Sequence, residues 1–159
     1  MATDGSAVGL RRHVLEGQYH VRVFSPAWKD AGKLFDHARD AFELRRHALK
    51  LRYWPEQNPV SEAGNLLDLN WSWVRSLRGT NVGELRIDDT IGRHDNLRVI
   101  FYCGDPEKPD PNSRKPIIWI LHVMQKKRDD FSKANITIFD ARRKLVDERF
   151  YKHYEQMNG

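Results

Sequence analysis

The sequence predicts a compact α+β domain: a small, mainly antiparallel sheet with helices packed mainly on one face. Three observations predict it. Three dense apolar segments, at Glu84–Asp88, Asn96–Tyr102 and Ile117–Met124, follow one another with connections that suit a meander. Ahead of them, residues recurring at steps of three and four mark one continuous helix over about Ala27–Leu51. A second helical pattern, about Ser132–Glu155, closes the chain. The 159 residues suit one domain with a single core.

Residues 1–18 are small and polar with a basic patch at Arg11, Arg12 and His13, and read as a flexible extension ahead of a domain spanning 19–159. Gln18–Phe24 alternates Tyr19, Val21 and Val23 with polar residues, which is strand periodicity. Ser25-Pro26 reads as an N-cap followed by proline at the first helical position. The helix it opens shows a face of Trp28, Ala31, Phe35, Ala38, Phe42, Arg45 and Leu49 and stops before Pro55 and Pro59. A short helix is expected over Ser61–Asp68, while Trp71–Leu77 suits helix or strand. Gly79-Thr80-Asn81 is a turn. Gly104–Pro116, with four prolines, reads as an exposed, solvated hairpin loop. On the last helix Phe139, Ile138, Leu145 and Val146 share one side, and Asp140, Lys144 and Asp147 point away. Arg142 and Arg149 fall in the apolar sector, either laying their stems along the core or facing a groove beside the sheet.

An excess of 27 Lys+Arg over 22 Asp+Glu, a net charge of +5, favours nucleic acid or an acidic protein as partner. The single cysteine, Cys103, excludes an internal disulfide, fits a reducing cytoplasm and reads as a packed strand residue. Met1–Gly9 lacks a basic start and an apolar stretch, so no secretory leader is expected. No apolar run approaches the roughly 20 residues that span a bilayer, so no membrane partner is expected. The seven histidines show no paired ligand spacing, so neither metal nor other cofactor is expected.

The strands carry cations where apolar residues would suffice. Arg86 and Arg98 lie within strands, and Lys126, Lys127 and Arg128 follow the end of the third. Guanidinium groups fixed on a sheet present planar paired donors to phosphate; surface charge on a solvated face is the plainer alternative. The lysines suit phosphate binding, proton transfer or contact with ribosomal RNA. His122 is a candidate general acid or base, though its place in an apolar strand favours a hydrogen-bonded core histidine. Tyr102 can stack on a base or simply pack. His94 reads as an exposed turn residue. Trp71, Trp73 and Trp119 read as core or rim residues rather than base platforms.

Four stretches together resemble the RelE/ParE/HigB superfamily of type II toxins, especially its HigB-like, phage-derived branch. They are Val23-Phe24-Ser25-Pro26 with Trp28-Lys29-Asp30; Val74–Gly79 with Gly83–Ile87; Leu97–Tyr102; and Leu121–Lys127 with Ala141–Leu145. The likeness spans about Tyr19–Arg149. Asp129-Asp130-Phe131-Ser132 stands where the family usually has a proline, and the Gly104–Pro116 loop is longer than usual. The resemblance implies a RelE-like fold and a ribosome-dependent mRNA endoribonuclease that needs no metal. A ribose 2′-OH attacks the adjacent phosphorus, leaving a 2′,3′-cyclic phosphate. Arg86, Arg98, Lys126, Lys127, His122 and Tyr102 are then the candidate catalytic residues, and Arg128 and Arg142 the RNA-binding ones. Expected partners are a cognate antitoxin protein, the ribosome and mRNA, in the cytoplasm. A ParE-like inhibitor of DNA gyrase and an inactive RelE-fold binding module are the alternatives.

Overall fold

The computed structural model describes residues 17–61 and 63–158. The expected extension therefore lies outside the described residues, apart from Gly17 and Gln18. Five strands form one sheet: β1 (His20–Val23), β2 (Asn70–Trp73), β3 (Val82–Ile87), β4 (Leu97–Cys103) and β5 (Ile117–Gln125), in the order β1-β5-β4-β3-β2. The three pairings among β2, β3, β4 and β5 are antiparallel, and only β1 against β5 is parallel. The α+β class and the mainly antiparallel sheet are as expected. β4, at the centre, is buried along its whole length.

The long helix of the sequence reading is two helices, α1 (Ser25–Leu34) and α2 (Ala38–Ala48), running into a 3₁₀ turn at Leu49–Tyr53. Phe35 leaves α1 in an extended conformation, with φ −116° and ψ 139°, and His37 is likewise extended before α2. The break shifts the phase of the apolar stripe. Ala27, Ala31, Phe35, Ala41, Leu44 and Leu51 are buried, whereas Trp28 and Phe42 of the expected face pack against each other on the outside. Phe24, not Ser25, is the N-cap residue, and no side chain caps that helix.

Two of the three long helices share one face of the sheet. α3 (Lys133–Arg149) and an aromatic tail, Phe150, Tyr151 and Tyr154, cover the other. Ser132 starts α3 through a capping box with Asn135, at the boundary the sequence indicates. α3 ends at Arg149, before a 3₁₀ turn and a short α4 (Tyr154–Asn158). Asp147 does not point away: it accepts a hydrogen bond from the Tyr102 hydroxyl at 2.6 Å. Ser61–Asp68 forms no helix among its described residues, being held by a Val60–Leu66 bridge. Trp71–Leu77 contains both alternatives: the end of β2, then a 3₁₀ turn at Arg75–Leu77.

β5 carries a bulge. Ile100 pairs with His122 but Phe101 with Ile120, so Leu121 is the extra residue. Ile118 and Ile120 pack towards α1 and α2, as does Val123, one step out of simple alternation. His122 and Met124 therefore turn to the face of α3, where His122 meets the Phe139 ring at 5.4 Å.

The Gly104–Pro116 loop is tied down rather than solvated throughout. Asp110 is buried, and its carboxylate accepts hydrogen bonds from the Asn112 and Ser113 amides at 3.1 and 2.8 Å. His20 and Arg22 of β1 approach it at 3.6 and 3.9 Å. The Tyr154 hydroxyl donates to the Pro109 carbonyl. Burial raises the Asp110 carboxyl, but the Ser113 amide, His20 and the Asn112 amide outweigh it and hold it below the usual carboxylate range. Its contribution to stability is present above the unfolded value, near pH 3.9, and is lost as pH falls further. Asp110→Ala is expected to cost about 1–3 kcal/mol in urea unfolding at pH 7. The stability difference from wild type should shrink as pH drops through that range; a constant difference down to pH 2 would count against this role.

Candidate nucleic-acid interface

Arg86 of β3 is directly opposite Arg98 of β4, so the two guanidinium groups share one face of the sheet. Arg98 is in turn opposite Met124, and the ladder continues beyond β5 through the Lys126 amide, which donates to the Asn96 carbonyl at 2.8 Å. That bond brings the three cations after β5 alongside the strand pair. Arg86, Arg98, Lys126, Lys127 and Arg128, with Asn96 and Asp129, line one open polar hollow of about 310 Å³. It lies on the face that α3 covers further along the strands, where the apolar rows of β3 and β4 give way to charge. On the opposite face, Gln125 bridges His94 and Asp95 of the turn before β4, at 3.3 and 3.1 Å.

The five cations are not equivalent. Arg86, Lys127 and Arg128 are exposed and have no hydrogen-bond or ion-pair partner among the described residues. Arg98 is held: its side chain is only 6 % exposed, its Nε donates to Glu84 Oε1 at 3.2 Å, and its Nη1 donates to the Leu97 carbonyl. Lys126 lies 3.8 Å from the same Glu84 oxygen, with its ammonium 4.4 Å from the centre of the Phe131 ring. Glu84 is thus the residue the sequence reading passed over. The shortest approach of both cations is to Oε1, and Oε2 accepts no hydrogen bond among the described residues. The signal was available: Glu84 and Arg86 are two apart on one strand and must face the same way. Asp129 stands on the lining, but Asp130 does not.

Three candidates lie elsewhere. Tyr102 is four residues along β4 from Arg98, roughly 13 Å at the usual strand rise. Its hydroxyl is engaged by Asp147, and burial, then Asp147, raises its pKa. His122 and Arg142 form a clasp with Asp30 of α1, beyond the end of β1 where the edge of β5 is open. Arg142 Nη1 lies 2.5 Å from Asp30 Oδ2, 2.9 Å from the Leu121 carbonyl and 2.8 Å from His122 Nδ1. A nitrogen with two hydrogens serves two of these at once. With Arg142 bonded to Asp30 and Leu121, His122 Nδ1 donates to Asp30 at 2.9 Å. Arg142 therefore neither lies along the core nor opens onto the hollow.

Cys103 is a packed residue whose thiol burial pushes up to about 12. Trp119 is a core residue that donates to the Tyr151 hydroxyl at 2.8 Å. Trp71 and Trp73 pack with Trp54 and Phe101, and Trp73 remains 44 % exposed. No helix among the described residues is long and apolar enough to cross a membrane. Nor does any group of three or more His, Cys, Asp or Glu converge among them. No family model, curated protein or solved structure matches the chain.

The clasp has a measurable signature. Burial lowers the His122 pKa, Asp30 opposes this and Arg142 adds to it, so the ring is held neutral below its ordinary range. The unfolded imidazole takes up its proton first, near pH 6.5, so this part of the stability fades as pH falls below that value. His122→Gln is expected to flatten the decline between pH 6.5 and 5. Arg142→Ala, which leaves Asp30 half-buried without its cation, is expected to cost about 1–3 kcal/mol in urea unfolding. Stability unchanged in both variants would dissolve the clasp.

Proposed function

We propose that the chain is the toxin of a type II toxin–antitoxin pair, an endoribonuclease that cuts mRNA on the ribosome without a metal. What carries this reading is the meeting of five cations in one hollow beside a carboxylate with a free oxygen. Fixed guanidinium groups orient a phosphodiester and neutralise charge developing on its oxygens. Arg98 is the preorganised donor, and Arg86, opposite it, closes on the phosphate from the open side.

Glu84 Oε2 accepts the proton of the ribose 2′-OH, whose oxygen forms the new bond to phosphorus. The bond from phosphorus to the 5′ oxygen breaks, and Lys127, the uncommitted ammonium, protonates that oxygen. The products are a 2′,3′-cyclic phosphate and a 5′-OH. Lys126, shared between Glu84 and the Phe131 ring, keeps the carboxylate in place, and Arg128 widens the field that attracts RNA. Tyr102, His122 and Arg142 have no step here. A cognate antitoxin would cover the hollow with an acidic segment.

The test is a translation extract programmed with a defined message. Wild type should give codon-phased cuts with cyclic phosphate ends. Arg86→Ala and Glu84→Gln should slow cutting by about 10²-fold, the usual loss on removing one transition-state contact. His122→Gln should cut at the wild-type rate. Supercoiling by DNA gyrase should proceed normally in the presence of the protein; its inhibition, with the message intact, would favour the ParE-like alternative. Uncut message and normal growth on expression would leave the inactive module.

A further inference from the structure

We infer that the groove beside the Arg75–Leu77 turn is a second subsite for single-stranded nucleic acid, in line with the basic hollow along β3. The inference rests on the RNA reading of that hollow and extends it to the length of strand the protein holds. The groove encloses about 400 Å³, and Trp73, Arg75, Arg78 and Asn81 are among the residues lining it. Arg75 and Arg78 are exposed and have no hydrogen-bond or ion-pair partner among the described residues. They are nonetheless held in place. Val74 and Leu77 bury their side chains in the core under α3, the Leu77 amide donates to Val74 at 3.0 Å, and Thr80 Oγ1 donates to Leu77 at 2.6 Å. A rigid turn thus presents two free guanidinium groups.

The groove and the hollow share a strand. Val82 walls the groove and Arg86 the hollow. Both side chains face the same way on β3, roughly 13 Å apart at the usual rise. Between them the neighbouring edge strand offers only Ser72 and Asn70, paired with Glu84 and Arg86 and exposed. Two cationic stations, with Ser72, Asn70 and the Glu84 carboxylate held by Arg98 and Lys126 between them, suit a chain of repeated phosphates. Contacts to phosphate alone carry no sequence preference. An acidic protein segment is the competing occupant that the experiment separates.

The experiment measures binding of non-cleavable 2′-O-methyl oligouridylates, three and ten residues long, by fluorescence anisotropy across a salt series. Polyglutamate serves as competitor. Arg75→Ala with Arg78→Ala is expected to weaken the ten-mer about tenfold. It should also lower the salt slope by about 1.4, the amount two lost phosphate contacts carry on a single strand. The three-mer, which fills the hollow alone, should bind as to wild type; Arg86→Ala should weaken both. Charge reversal, Arg75→Glu with Arg78→Glu, should weaken the ten-mer further, and thermal melts should match because neither side chain is buried. Ten-mer affinity unchanged in both double variants overturns the subsite and leaves the hollow standing. Failure of wild type to bind either oligomer overturns both. Polyglutamate displacing the ten-mer from wild type but not the double variants would make the groove a protein-docking surface and also overturn the subsite.

Discussion

The hollow takes its form from the ion pair between Glu84 on β3 and Arg98 on β4. The two side chains are 14 % and 6 % exposed and meet at 3.2 Å. Charges so far out of water carry a desolvation cost of several kcal/mol each, offset only when pairing and hydrogen bonding are good. Here the Leu97 carbonyl accepts a second guanidinium bond and Lys126 adds a second cation on Glu84. Apolar residues of similar size could stabilise this corner as well. The pair is better explained by what it holds: a guanidinium locked in direction at the floor of an open site.

The β5 bulge explains why the charged residues separate into two systems. Simple alternation would put His122 on the side of Ile118 and Ile120, under α1. The extra residue turns it towards α3, into reach of Arg142, while Asp30 arrives from α1 around the open edge. The clasp joins elements from opposite faces of the sheet, and the hollow lies on one face only. A cation spent on the clasp is not available to a polyanion. That division sets Arg142, fully engaged, apart from Arg86, Lys127 and Arg128, which bond to nothing described in the protein.

Much of this was legible in the sequence. Period-two and dense apolar runs located β1, β3, β4 and β5 to within a few residues, because burial on the two faces of a strand writes directly into residue type. The start of the last helix near Ser132 was equally direct. What the sequence hid were events at which the period changes. The break at Phe35 preserves an apparent three-four spacing through Trp28 and Phe42 while moving the buried stripe to Ala27, Ala41 and Leu44. The Leu121 bulge reverses the faces of His122, Val123 and Met124 without leaving a glycine or proline to mark it. The grouping of Arg86 and Arg98 with the cations after β5 was readable because strand pairing forces it. Tyr102, His122 and Arg142 were misplaced because their partners, Asp147 and Asp30, lie 45 and 112 residues from Tyr102 and Arg142.

The two acidic residues after Arg128 bear on how the site works. A carboxylate on the lining lowers the positive potential of the hollow, which argues against a surface that binds polyanions by charge density alone. With only a modest net charge of +5, long-range attraction is limited as well. Discrimination then has to come from position: Arg98 aimed by Glu84, and Arg86 fixed opposite it by strand register. A weak field with well-aimed donors favours an anion held in one geometry over a polyanion attracted by charge density.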